Sequence, residues 1–227
     1  MSEYVIAAPA QAFVPVKGGG RFPVRRVYCV GRNYAAHARE MGHDPDREAP
    51  FFFSKPADAL LSGGRDMPYP AGTKDLHHEL ELVVALKSGG VDIPESEAMD
   101  HVWGYAVGLD MTRRDIQSEA KKLGRPWDMA KGFDQSAPIG EMVPAAGVDP
   151  GKGKIELKVI GAVRQTSDLS FMIWNVAETI AYLSGLVRLE AGDLIFTGTP
   201  EGVAAATKGD VLEGHVDGLP PLRVAIA

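Results

Sequence analysis

The sequence predicts a mainly β or α+β domain, and three observations carry that expectation. Runs rich in β-branched and aromatic residues outnumber helical stretches, turn signals such as Asp217-Gly218 recur between them, and strands do not alternate regularly with helices. Residues 1–23 mix Ala, Pro and Gly and read as an N-terminal arm and loop, ahead of a single domain over 24–227. From their composition, strands are expected in order at 26–30, 51–54, 80–86, 104–109, 155–160, 193–197 and 222–226. Helices are expected at 34–41, 112–123 and 171–183. The last carries Ile173, Val176, Ala177, Ile180 and Leu183 at helical spacing, with Ser170 as its cap and Gly185 just past its end.

With 227 residues the chain is long enough for a substantial core. Its 45% hydrophobic and 24% charged residues and mean hydropathy of -0.08 suit a soluble globular protein. A formal net charge of -6 and pI near 5.5 argue against non-specific binding to nucleic acid or anionic membranes. The single Cys29 excludes an intramolecular disulfide and a thiolate metal cluster, and reads as a buried core thiol. The N-terminus, MSEYVIAAPAQAFVPVKGGGRF, lacks the basic start and apolar run of a signal peptide. No segment approaches the length of a membrane span, so a cytoplasmic protein is expected.

The candidate chemistry begins in HHELELVVAL, residues 77–86. Successive strand side chains point to opposite faces, so Leu80, Leu82 and Val84 share one side and Glu79, Glu81, Val83 and Ala85 the other. Two carboxylates about 7 Å apart along the chain, by the strand rise, precede apolar ground on one face. Carboxylates there repel unless a positive group lies between them or one keeps its proton, and a divalent cation meets that need. In GYAVGLDMTRRDIQ, Asp110 ends a strand and offers a third carboxylate. The three make an all-oxygen site suited to Mg²⁺, Mn²⁺ or Ca²⁺ and not zinc. One turn on, Arg114 and Gln117 project from one helix face toward a metal-held ligand. Lys131, among small residues in DMAKG, is placed to approach a ligand closely. In NYAAHARE, His37 and Glu40 stand three apart, an arrangement that suits a general base activating water. Gly31 and Gly42 flank that segment as a lid would require. FTGTPEGV resembles a backbone-lined turn whose amides and Thr199 hydroxyl hold an anion, without the Gly-Lys-Ser/Thr ending of a P-loop.

Taken in order, YCVGRNYAAHAREMG, FFFSKPADAL, HHELELVVAL, GYAVGLDMTRRDIQ, GRPWDMAKGFDQSAPIG and LIFTGTPEGV resemble the fumarylacetoacetate hydrolase family in its short single-domain members. The resemblance covers roughly residues 24–226. It implies a mixed β-sandwich roll with a few helices, assembled as a homodimer, with Mg²⁺ or Mn²⁺ bound and Ca²⁺ a third option. It carries the metal carboxylates onto Glu79, Glu81 and Asp110, the substrate contacts onto Arg114 and Gln117, and the active-site lysine onto Lys131. It carries the lid pair onto His37 and Glu40, the anion-holding turn onto Gly198 and Thr199, and a further pocket position onto Lys55. The implied activity is hydrolysis of the carbon–carbon bond of an acylpyruvate, a 2-oxo acid, with fumarylpyruvate giving fumarate and pyruvate. Fumarylacetoacetase itself takes a further metal carboxylate and a histidine from a region not matched here, so water would complete the metal shell. Independently of the family, Arg125 in GRPW is a cationic candidate for the second carboxylate of such a substrate. The alternatives are oxaloacetate decarboxylation, the decarboxylase/isomerase chemistry of homoprotocatechuate breakdown, and a non-catalytic 2-oxo acid binder.

Overall fold

The computed structural model describes residues 4–35 and 48–227. A hairpin of β1 (Phe13–Pro15) and β2 (Arg21–Pro23) leads into β3 (Val27–Val30) and β4 (Phe52–Lys55). β5 (Leu60–Leu61) and β6 (Leu76–His78) precede the long pair β7 (Leu80–Leu86) and β8 (Val102–Leu109). After β9 (Thr112–Arg113) come the helices Arg114–Lys122 and Asp128–Lys131, then β10 (Ala137–Pro138) and β11 (Val143–Pro144). β12 (Lys154–Val159) and β13 (Ala162–Asp168) are followed by the helix Val176–Leu186 and by β14 (Leu194–Phe196), β15 (Ala204–Ala206), β16 (Val211–Val216) and β17 (Leu222–Ala225).

The largest sheet has the order β11-β8-β7-β14-β3-β4, mixed because β14 runs parallel to β3 and antiparallel to β7. An antiparallel sheet, β13-β12-β16-β17, packs beside it, and a small sheet, β15-β6-β9, sits at one end of β7. The alternation of β7 divides two cores. Leu80, Leu82, Val84 and Leu86 join Ile155, Leu157, Leu212 and Val216 of the four-stranded sheet, while Val83 and Ala85 join Cys29, Phe196, Val14 and Phe22. Burying a side chain of leucine size stabilises by about 1.5–3 kcal/mol, so reversing the faces of β7 would cost several such terms. Gly214 lets the two sheets close: a Cβ there would stand 2.6 Å from the Leu80 side chain.

The strand-rich reading holds, and the seven expected strands are present with ends shifted by one or two residues. β1, β2, β5, β6, β9, β10, β11, β13, β15 and β16 were not foreseen. β13 is exposed along most of its length and so lacks an alternating apolar face. Two helix limits are corrected. The helix expected from 112 starts at Arg114, because Thr112 and Arg113 pair with β6 as β9. The helix expected from 171 starts at Val176, because Asn175 and Glu178 form a reciprocal capping box. Ser170 is therefore not its cap; its amide is held by Asp168 in a separate 3-10 turn. Gly185 lies inside the last turn, which continues to Leu186. Of the helix expected at 34–41, residues 36–41 lie outside the described residues, and Tyr34 bridges to Met172. Among the described residues no helix is long and apolar enough to cross a membrane.

Candidate active site

The register of β7 with β8 builds the site. Leu80 pairs with Leu109 and Glu81 with Gly108, so Glu79, Glu81 and Asp110 gather at one end of the strand pair. The Asp110 amide closes that end by donating to the Glu79 carbonyl at 2.8 Å. All three side chains are buried, and one ligand oxygen from each lies within 4.8 Å of the others.

Two of the three carboxylates are paired by cations from other elements. Lys131, at the end of its short helix and 2% exposed, donates to Glu79 Oε2 at 2.8 Å, Asp110 Oδ2 at 2.6 Å and Thr112 Oγ1 at 2.7 Å. Burial pushes its ammonium pKa down, but Asp110 and Glu79 outweigh burial and hold it above its ordinary value. Lys55, at the end of β4, places Nζ 2.8 Å from Asp110 Oδ1 and donates to the carbonyls of Met111 and Lys131. Arg114 pairs with Glu79 and donates to Gln117 Oε1, so the two helix residues expected to act together do touch.

Glu81 is different: among the described residues its bonded partner is the Gly198 amide, 2.7 Å from Oε2. Burial pushes its carboxyl well above the usual range, Asp110 and Glu79 push it further, and the amide offsets part of this. Among the described residues, Asp110 Oδ1 receives no aligned hydrogen bond despite its contact with Lys55. A buried carboxylate without a bonded cation and an unsatisfied carboxylate oxygen, in an all-oxygen set, fit a hard divalent ion. Glu79, Glu81 and Asp110 can hold one.

The turn after β14 is held by two residues that local sequence reading missed. Gly198 has φ +94°, and a Cβ there would stand 2.7 Å from the Asn33 Cβ, so glycine lets its amide reach Glu81. Asn33 donates to the carbonyls of Thr197 and Trp174, both at 2.8 Å, and accepts from the Trp174 amide at 2.7 Å. Gln165 of β13 donates to Thr199 Oγ1 and to the Pro200 carbonyl, both at 2.8 Å, and accepts from the Leu80 amide at 3.0 Å. The Thr199 hydroxyl thus accepts one bond and keeps its proton to donate. The Gly198 amide, expected to hold an anion, holds the carboxylate of Glu81.

A cleft of about 400 Å³ adjoins this cluster, with Phe51, Phe53, Arg125, Trp127 and Lys131 in its walls. Lys131 therefore borders both the carboxylates and the cleft, and Arg125 lines the same space. His37 and Glu40 lie outside the described residues.

Residues 26–227 match the fumarylacetoacetate (FAA) hydrolase C-terminal family. The crystal structure of fumarylpyruvate hydrolase from Pseudomonas aeruginosa in complex with Mn²⁺ and pyruvate is similar at 52% identity and a TM-score of 0.97, covering 99% of each chain. That of a putative fumarylpyruvate hydrolase from Burkholderia cenocepacia is similar at 53% identity and a TM-score of 0.93, covering 100% of this chain and 99% of the other. Among curated proteins, "Oxaloacetate tautomerase FAHD1, mitochondrial" of Homo sapiens is 45% identical over 196 residues, 86% of this chain and 88% of its own. With the ordered motifs, the fold and the carboxylate triad in agreement with that match, the chain belongs to the fumarylacetoacetate hydrolase family.

Proposed function

We propose that this enzyme hydrolyses the carbon–carbon bond of an acylpyruvate, and that fumarylpyruvate is its substrate. The observation that carries the reading is the position of Lys131, bonded to the Glu79 and Asp110 carboxylates and lining a cleft that a second cation, Arg125, lines as well. The likeness to fumarylpyruvate hydrolase over nearly the whole chain supports it.

A divalent ion held by Glu79, Glu81 and Asp110 would supply Lewis-acid polarisation of the 2-oxo acid oxygens. Arg114 and Gln117, joined to each other and anchored on Glu79, orient the carboxylate of the pyruvate half. His37, oriented by Glu40, takes a proton from water, whose oxygen joins the distal acyl carbon. The bond from that carbon to the pyruvate methylene then breaks, and the methylene takes up a proton to give pyruvate and fumarate. Lys131 is held charged beside the bond pair that leaves as enolate, where a fixed positive charge lowers the barrier most.

A second reading, keto–enol interconversion of oxaloacetate, has the support of relatives named for it at 45% identity. It uses the same 2-oxo acid grip but no attacking water and no acyl arm. The deciding assay follows the ultraviolet absorbance of fumarylpyruvate with Mg²⁺ or Mn²⁺, repeated with EDTA and with oxaloacetate. Metal-dependent loss with stoichiometric fumarate and pyruvate supports hydrolysis. Stable fumarylpyruvate together with enzyme-dependent decay of the oxaloacetate enol band, or release of carbon dioxide, overturns it.

A further inference from the structure

The cleft has a contiguous aromatic wall, with Lys131 and Arg125 also in its lining. Phe51, Phe53 and Lys55 alternate along one strand edge, so they share a face that runs from the surface inward to Asp110. Beside them Trp127 and Lys131 stand four apart, one helical turn, and share a face as well. The Trp127 ring meets Phe51 edge-on at 5.5 Å and Phe53 at 6.0 Å between centroids, and Lys131 Nζ lies 4.9 Å from the Phe53 centroid. Gly31 makes room for Phe51: a Cβ there would fall 2.0 Å from its ring, and the Arg32 guanidinium stands 5.1 Å from the ring centroid. Arg125 stands on the rim two residues before Trp127. Its one ion-pair contact among the described residues, to exposed Glu119 at 4.0 Å, is too long and too wet to hold it.

Resting on the hydrolase reading, we infer that this slot takes the acyl arm of the substrate and selects a flat, unsaturated arm ending in a carboxylate, paired with Arg125. An aromatic wall favours a planar conjugated chain over a puckered saturated one, and Pro126 alone separates Arg125 from Trp127, which keeps the guanidinium beside that wall. A short 2-oxo acid such as oxaloacetate has no arm and leaves the slot empty. Arg125 is thus a specificity-determining residue, distinct from those that grip the pyruvate half.

The test compares wild type with Arg125→Leu and Arg125→Lys, all loaded with Mg²⁺. One arm measures kcat/KM on fumarylpyruvate and on acetylpyruvate, which lacks the terminal carboxylate. The other measures calorimetric binding of fumarate, of crotonate, which lacks one carboxylate, and of succinate, which lacks the double bond. For Arg125→Leu the ratio of kcat/KM values should fall roughly tenfold or more, mainly through KM, and the preference for fumarate over crotonate should vanish. Arg125→Lys should restore part of both. In wild type, fumarate should bind more tightly than succinate. A ratio unchanged by Arg125→Leu, wild-type binding that does not distinguish fumarate from crotonate, or equal binding of succinate and fumarate overturns the slot. If fumarylpyruvate is not turned over at all, the hydrolase reading fails on its own. The binding arm still decides whether Arg125 reads a second carboxylate.

Discussion

Lys131 shows how much one side chain carries at this site. It is the only described residue bonded to both Glu79 and Asp110, and removing its charge leaves two buried carboxylates facing each other. Lys131→Met should destabilise the metal-free protein by about 3–5 kcal/mol, the usual cost of breaking a buried pair. Millimolar Mn²⁺ should recover part of that loss, because the ion restores positive charge at the same oxygens. Thermal unfolding of both proteins in EDTA and in Mn²⁺ checks this; an unchanged midpoint in EDTA would contradict the pairing. Not every residue of the site was equally legible. The facing of Glu79 and Glu81 follows from parity in a single strand, and Asp110 from a strand ending in a short acid. Lys55 became a candidate only through family resemblance, since nothing in FFFSKP says that its partner lies 55 residues away. Asn33 and Gln165 were missed for the same reason, their bonds spanning 141 and 85 residues.

Among the elements, the helix Val176–Leu186 depends on its first turn. Asn175 accepts from the Glu178 amide and Glu178 accepts from the Asn175 amide, both at 3.0 Å. Asn175→Ala should lower stability by about 1 kcal/mol, read as a shift in the urea midpoint at constant m-value. A midpoint within error of wild type would mean that packing alone fixes the helix start. The Asn-x-x-Glu signal was present in the sequence, but apolar spacing that continued back to Ile173 masked it. Spacing reports which face is buried, and caps report where a helix begins. β7 was read to the residue because both its faces and both its ends are marked. β13 was invisible because a mostly solvated edge strand leaves no alternation to find.

For the whole molecule, the metal candidates join segments that an unfolded chain does not bring together. A divalent ion therefore binds the folded state far better than the unfolded one, and stability should rise by about 2.7 kcal/mol at a hundred times the dissociation constant. Unfolding curves across a Mn²⁺ titration should shift steadily upward and return with EDTA; a midpoint indifferent to Mn²⁺ would count against the triad as its site. Fold class was legible because strand content and turn frequency are summed over the chain. Topology was not, since the parallel pairing of β14 with β3 joins residues 194–196 to 27–29, and no local signal spans that distance.

The β7–β8 register also separates where the chain tolerates editing from where it does not. The pairing shifts between Ala85 and Leu86, at the end away from the acids. An insertion near exposed Val91 and Asp92 meets that irregularity first and leaves the acid end in step, whereas one residue added between Glu79 and Val83 would turn Glu81 into the leucine core. Length changes, tags and grafted loops belong at the bulged end of this hairpin, and the other end admits only one-for-one replacement.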